Sequence, residues 1–138
     1  MTKVLVVDDS AVDRRLASGI LEAADRIDVH AVEGGAQAIA YMEKETPDLV
    51  LVDLIMPEMS GLELVEAIRA NFPHVATVLM TSRGNEELAI QALLKGAASY
   101  VPKRELANEL ETTVNSVCLL YTSPSPRDAT LSRMPSSA

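Results

Sequence analysis

The chain has 138 residues, of which 48% are hydrophobic and 23% charged, and its formal net charge is −8. This composition is typical of one soluble domain with a hydrophobic core and argues against a disordered chain. The acidic balance also argues against a nucleic-acid-binding surface on this domain. No apolar run reaches the roughly 18 residues of a membrane span, and the N-terminal residues lack the pattern of a signal peptide. We therefore expect a cytoplasmic protein without a membrane partner.

Five short apolar runs alternate with stretches of helical periodicity. The predicted strands cover residues 3–8, 28–31, 49–53, 77–81 and 99–102, and the second has the weakest pattern. The predicted helices cover residues 10–24, 36–44, 60–71 and 85–95, and a fifth helix begins near residue 104. In the first helix, Leu16 and Ile20 are expected to face the core. The alternation predicts an α/β fold with a doubly wound parallel sheet.

The composition changes abruptly at Cys118. Residues 118–138 are rich in serine and proline and have no helical period. Because residues 118–128 resemble a translated sequencing adapter, we interpret this segment as a non-native or disordered tail and leave it out of the fold prediction. The expected domain therefore covers residues 1–117, and sequencing the source gene across codon 118 tests this boundary.

Polar residues follow four of the predicted strands, at the point where each strand ends. Asp8 and Asp9 end the first strand, Asp53 the third, Thr81 the fourth, and Lys103 follows the fifth. In open parallel sheets, ligand sites form outside the carboxyl ends of the strands. We therefore expect these five side chains to share one site.

The predicted site combines residue types that suit phosphoryl chemistry. Three neighbouring carboxylates repel one another unless a cation is present, and oxygen ligands of this kind suit Mg²⁺. A lysine and a threonine hydroxyl can stabilise the negative charge of a phosphoryl group in transfer. A carboxylate can itself be the nucleophile and form an aspartyl-phosphate. The sequence thus predicts phosphoryl acceptance on an aspartate.

Four motifs carry a resemblance to a known family. They are VLVVDDS at residues 4–10, DLIMPEMSG at 53–61, MTS at 80–82 and SYVPK at 99–103. In this order and spacing, the chain resembles the receiver domain of two-component response regulators over residues 1–117. The resemblance implies a flavodoxin-like (βα)5 fold with strand order 2-1-3-4-5.

The resemblance also implies a role for each site residue. Asp53 would be the phospho-acceptor, and Lys103 would pair with the phosphoryl oxygens. Asp9 would bind Mg²⁺ directly and Asp8 largely through water. Asp53 itself and the backbone carbonyl of Ile55 would complete the protein ligands of the ion.

A conformational switch is the next implication of the resemblance. Thr81 would move toward the phosphoryl group and Tyr100 would turn inward behind it, which would reshape the surface of the fourth helix, fifth strand and fifth helix. The implied partners are a sensor histidine kinase, a downstream effector domain or protein, and a second copy of the chain in a homodimer. Beyond its own phosphorylation and dephosphorylation, we expect no enzyme activity.

The segment after the fifth strand departs from the family pattern. The family commonly has proline directly after the lysine, often with a cis peptide bond, whereas here Arg104 follows Lys103 and Pro102 precedes it. A cis bond before a non-proline residue is costly, so this loop is expected to differ. Ile55 and Arg83 flank the site and are expected to tune dephosphorylation.

Other classes of protein fit the sequence less well. A phosphohydrolase that uses an aspartyl-phosphate usually has a second carboxylate two residues after the nucleophile, where this chain has Ile55. A flavin-binding module of similar architecture would need a Ser/Thr/Gly-rich phosphate loop, where Asp8 and Asp9 would repel the phosphate. The alternative that stays open is a receiver-like interaction module that is not phosphorylated.

Overall fold

The computed structural model describes residues 1–122. The strands are β1 (Thr2–Val7), β2 (Ile27–Val32), β3 (Leu49–Asp53), β4 (Ala76–Thr81) and β5 (Ser99–Pro102). The helices are α1 (Ala11–Ala23), α2 (Gly35–Lys44), α3 (Gly61–Asn71), α4 (Glu86–Leu94) and α5 (Leu106–Thr122), and a short 3₁₀ helix, Lys103–Glu105, precedes α5.

All five strands are parallel and lie in the order β2-β1-β3-β4-β5, which confirms the predicted fold class and topology. The register brings the strand ends to one edge of the sheet, because Val7 pairs with Val52 and Asp53 pairs with Met80. Thr81 pairs with Pro102 at the same edge. The polar residues that follow these strands therefore emerge side by side.

Alternating strand residues build a separate apolar core on each face of the sheet. On one face, Leu51 and Met80 belong to a cluster with Leu110 of α5. On the other face, Leu5 and Val52 belong to a cluster that includes residues of α2, α3 and α4. The buried side chains are almost all aliphatic, so the sheet is fixed by packing on both sides.

Helix α1 faces the core with Ala17 and Leu21, both fully buried, while Ile20 packs against the same cluster. The prediction that Leu16 lies on the inner face is wrong, because its side chain is 49% exposed. The stripe that meets the sheet runs through residues 17, 20, 21 and 24. Leu16 lies beside that stripe, one turn after the exposed Val12.

Helix α5 continues beyond the predicted domain boundary after Val117. Val114, Val117 and Cys118 are buried at helical spacing against the core formed with α1. The predicted tail from Cys118 falls partly in this helix, and residues 123–138 lie outside the described part of the chain. The proposal that the tail is a translated adapter concerns the gene and stays a prediction.

Candidate functional site

Three carboxylates meet at the carboxyl edge of the central strands. Asp8 follows β1 and is fully buried, Asp53 ends β3 and is 6% exposed, and Asp9 is exposed. One oxygen from each lies within 4.8 Å of the other two. The chain is already turning here, since the Ser10 N–H donates to Asp8 Oδ1 over 2.9 Å and the Ile55 N–H to Asp53 Oδ1 over 3.4 Å. The structure thus brings together the three predicted acids.

Lys103 lies beside these acids, as the sequence predicted. Its Nζ is 3.4 Å from Asp53 Oδ1 and 3.1 Å from Asp8 Oδ2. It also donates a 2.8 Å hydrogen bond to Oδ2 of Asp13, on the first turn of α1. Asp13 is a site residue that the sequence motifs do not identify. Its place in the first turn of the helix that follows Asp8 and Asp9 is the signal that the sequence offers.

The pKa of Asp53 is raised from 3.8 to about 7. Burial of the carboxylate is the main cause, and repulsion by Asp8 adds to it, while Lys103 acts in the opposite direction. The carboxylate at the centre of the site is therefore held in an environment that disfavours its charged form. A further cation at the cluster would favour ionisation.

At Lys103, the neighbouring acids favour the charged form of the side chain more than burial disfavours it. Burial alone would lower the pKa of its ammonium, but the hydrogen bond to Asp13 and the charges of Asp53 and Asp8 outweigh burial and raise the pKa. The lysine therefore stays charged at neutral pH. It supplies a fixed positive charge next to the Asp53 carboxylate.

The donor set fits a small hard cation. Within residues 1–122, the buried Asp8 Oδ2 accepts no well-aligned hydrogen bond, although the Lys103 ammonium lies 3.1 Å away. Asp9 and Asp53 contribute oxygens nearby, and Mg²⁺ prefers carboxylate oxygens with room left for water. The carbonyl of Ile55 stays a predicted further ligand, since the contacts of the described residues do not test it.

Thr81 and Tyr100 line one small cavity of about 160 Å³ between α4 and the ends of β4 and β5. Thr81 is 6% exposed at the end of β4, whereas Tyr100 is 47% exposed on β5. Ile90 of α4 and Arg104 also line this cavity. Tyr100 thus lies at the rim of this cavity.

The segment after β5 has no cis peptide bond, and neither does the rest of the described chain. Pro102 leads into the 3₁₀ helix that carries Lys103 and Arg104. The side chain of Arg104 is exposed. Arg83 is exposed as well, and Ile55 is 51% exposed beside the acids.

Gly61 begins α3 and lies directly against the end of β3. A Cβ atom at this position would lie 2.6 Å from the Asp53 backbone oxygen and 2.9 Å from the Leu54 oxygen. The Gly61 N–H donates to that Leu54 oxygen over 2.9 Å. A side chain at position 61 would collide with main-chain atoms, so only glycine fits against the end of β3.

Comparison with known proteins identifies this arrangement. The family model described as response regulator receiver domain matches residues 4–115. The chain belongs to this family. It is a response regulator receiver domain of the kind found in two-component signal transduction.

The receiver domain makes up most of some curated relatives and a small part of others. Chemotaxis protein CheY of Listeria monocytogenes is 32% identical over 103 residues, which cover 75% of this chain and 87% of the relative. Regulatory protein LuxO of Vibrio vulnificus is 34% identical over 90 residues, covering 65% of this chain but 20% of the relative. The chain thus spans about a fifth of that longer regulator, so the activity of a complete protein is a matter for proposal.

Solved structures agree with this assignment. The receiver domain of NtrX from Brucella abortus superposes with a TM-score of 0.80 at 27% identity, over 83% of this chain and 97% of that one. The receiver domain of a LuxO repressor protein from Vibrio parahaemolyticus gives 0.80 at 29% identity, over 88% and 92%. Within residues 1–122, no helix has the length and apolar composition required to cross a membrane.

Proposed function

We propose that this receiver domain is a phosphoryl-accepting switch in which Asp53 receives the phosphoryl group of a histidine kinase. The observation that carries the proposal is the contact of the buried Asp53 carboxylate with Lys103, inside a cluster of three acids. A nucleophile, a fixed cation and an open set of oxygen ligands thereby meet at one point.

The proposed reaction transfers a phosphoryl group from a histidine nitrogen of the kinase to a carboxylate oxygen of Asp53. An ionised oxygen of Asp53 attacks the phosphorus of a phosphohistidine, the P–N bond breaks, and the imidazole nitrogen keeps the electron pair and takes up a proton. Lys103 Nζ, 3.4 Å from Asp53 Oδ1, can donate to the oxygens of the transferred group. This charge is positioned before the reaction, so little reorganisation is needed.

Asp8, Asp9 and Asp53 would hold a Mg²⁺ ion, with the Ile55 carbonyl as a proposed further ligand. When bound, the ion supplies positive charge that offsets the repulsion among the acids and the charge of the phosphoryl oxygens. The buried Asp8 Oδ2, which accepts no well-aligned hydrogen bond among the described residues, supports this assignment.

The proposed output is a change in the surface of α4, β5 and α5. Thr81 would bond to the phosphoryl group, and Tyr100 would move into the cavity that both residues line. Ile90 and Leu94, which are 56% and 82% exposed on α4, would belong to the surface that changes. An effector domain or protein and a second copy of the chain are the proposed readers of that surface.

The proposed reaction also bears on catalytic turnover and on cellular location. The domain would turn over no external substrate, because the acyl phosphate forms on its own Asp53 and is lost to water. The protein would be cytoplasmic, because the histidine kinase proposed as its donor would present its phosphohistidine in the cytoplasm.

Intact mass spectrometry tests the proposed function. The full chain is incubated with acetyl phosphate and Mg²⁺, beside Asp53→Asn and beside a sample with chelator in place of Mg²⁺. We expect the mass gain of one phosphoryl group only in the wild-type protein that receives both acetyl phosphate and Mg²⁺. The absence of any gain, under conditions where a control receiver reacts, would favour the module that only binds partners.

A further inference from the structure

The hydrogen bond between Lys103 and Asp13 is the contact in this site that the reaction proposed above does not use. It joins α1 to the segment after β5, across 90 positions in the chain. At 2.8 Å it is shorter than the distances from Lys103 Nζ to Asp8 and Asp53, which are 3.1 Å and 3.4 Å. The ammonium is therefore held most closely from the side of α1.

Hydrogen-bond geometry distinguishes the contact with Asp13 from those with Asp8 and Asp53. The ammonium donates a directed hydrogen bond to Asp13 Oδ2, whereas its approach to Asp8 Oδ2 leaves that oxygen without a hydrogen bond among the described residues. A lysine ammonium has three protons on a flexible stem. An aligned partner for one proton fixes the directions of the other two, while Asp8 Oδ2 and Asp53 Oδ1 lie 3.1 Å and 3.4 Å from the nitrogen.

Asp13 itself is supported by a rigid element. It lies on the first turn of α1, where its backbone N–H donates to Ser10 Oγ over 3.3 Å. Farther along the helix, Ala17 and Leu21 are fully buried and anchor α1 in the core. The carboxylate of Asp13 is thus a fixed acceptor, with its side chain 34% exposed.

We propose that Asp13 is a positioning residue for phosphoryl transfer. It holds the Lys103 ammonium beside Asp53, so that one N–H faces the oxygens of the incoming phosphoryl group. When Asp53 carries that group, Lys103 keeps its bond to Asp13 and exchanges its contact with Asp53 Oδ1 for one with a phosphoryl oxygen. This inference rests on the proposed function of Asp53 as the acceptor.

Asp13 has a second effect of opposite sign. Its negative charge lies close to the place where an anionic donor must arrive, and this repulsion alone would slow the transfer. Removing Asp13 would therefore speed the reaction if charge dominated and slow it if positioning dominated. Because a displacement of about 1 Å in a reacting group can cost on the order of 100-fold in rate, we expect positioning to dominate.

Two substitutions of Asp13 and one matched control separate these effects in the full chain. Asp13→Ala removes both the charge and the acceptor, whereas Asp13→Asn removes the charge and keeps an oxygen that can accept from Lys103. Glu22→Gln makes the same change of charge on an exposed residue farther along α1. Phosphoramidate serves as the donor, since it requires no docking of a kinase.

The rate constant for phosphorylation with Mg²⁺ is the first readout. We expect Asp13→Ala to lower it by between about 10-fold and about 100-fold. Asp13→Asn should lower it less, and Glu22→Gln should match the wild-type protein. A rate for Asp13→Ala equal to or above the wild-type rate would overturn the proposal.

The ¹⁵N shift and proton exchange of the Lys103 ammonium, measured by NMR without donor, are the second readout. Both should change in Asp13→Ala and stay unchanged in Glu22→Gln, while a thermal unfolding curve shows that each variant is folded. An unchanged Lys103 signal in Asp13→Ala would contradict the inference. If the wild-type chain accepts no phosphoryl group, all variants fail alike, and it is the proposed function that is overturned, together with the role of Asp13 in transfer.

Discussion

Gly61 packs directly against the backbone of Asp53, so that a Cβ atom on Gly61 would lie 2.6 Å from the Asp53 oxygen. The contact is with main-chain atoms, which cannot turn away as a side chain can. The position of the candidate acceptor is thus set partly by the first residue of α3, eight positions later in the chain.

Gly61→Ala is therefore expected to destabilise the domain by roughly 1–3 kcal/mol, the usual cost of forcing an extra methyl group into a packed site. Displacing the end of β3 should also slow phosphorylation of Asp53. Gly19→Ala is the matched control, because a Cβ there meets nothing within 4 Å and alanine favours the interior of α1. Equal stability of the two variants in urea unfolding would contradict this account.

The raised pKa of Asp53 predicts that stability in the absence of Mg²⁺ falls as the pH rises. Between pH 3.8 and about 7 the folded protein holds a proton on Asp53 that the unfolded chain has lost, so raising the pH favours unfolding. The loss should be roughly 1–4 kcal/mol, the upper figure being the full shift at about 1.36 kcal/mol per pKa unit.

Asp53→Asn should remove most of this dependence, because the amide does not titrate. Urea unfolding curves in chelator from pH 4 to pH 8 measure the effect in both proteins. Parallel pH profiles for the wild-type chain and Asp53→Asn would show that the carboxylate is not destabilised by its surroundings. Adding Mg²⁺ should stabilise the wild-type protein most at the upper end of this range.

The acid cluster predicts which substitutions weaken Mg²⁺ binding. Asp8→Asn and Asp9→Asn each remove one carboxylate from the proposed Mg²⁺ site, and we expect each to raise the dissociation constant by about tenfold or more. Asp28→Asn, on the exposed side of β2, makes the same chemical change away from the site and should leave the constant unchanged. Isothermal titration calorimetry provides the comparison, and equal weakening in all three variants would point to general charge instead of coordination.

Tyr100 is predicted to lose exposure when the site is loaded with a phosphoryl group. Beryllofluoride with Mg²⁺ stands in for that group, and fluorine NMR of fluorotyrosine-labelled protein reports each ring. The Tyr100 signal should move, whereas that of Tyr41, which stacks on His30 at a centroid distance of 4.2 Å, should not. In Thr81→Ala the Tyr100 signal should stay at its unloaded position. A shift of Tyr100 that persists in Thr81→Ala would exclude Thr81 as the link.

The sheet and the site acids could be predicted from the sequence because the signals are local. Each apolar run stops at a polar residue, and parallel strands bring those residues to one edge. Asp53 and Lys103 are 50 positions apart, yet the topology alone places them together. The weakly patterned second strand is predicted as well, and it is an edge strand in the sheet.

The features that the sequence did not reveal depend on side-chain direction and packing. Asp13 reads as an ordinary acidic residue in the first turn of a helix, and its bond to Lys103 becomes visible only when α1 is docked. A helical stripe through Leu16 is compatible with the sequence and predicts that it faces the core, but the docked helix turns Ala17 inward. The close approach of Gly61 to β3 is likewise a property of the packed α3.

Chemical mapping of the phosphorylated residue tests the central claim most directly. The full chain is phosphorylated with acetyl phosphate and Mg²⁺, reduced with borohydride, which converts an aspartyl-phosphate to homoserine, and digested for peptide sequencing by mass spectrometry. We predict homoserine at position 53, and no such product when chelator replaces Mg²⁺. Homoserine at position 8 or 9, or a phosphoryl group that resists borohydride, would contradict the assignment of Asp53 as the acceptor.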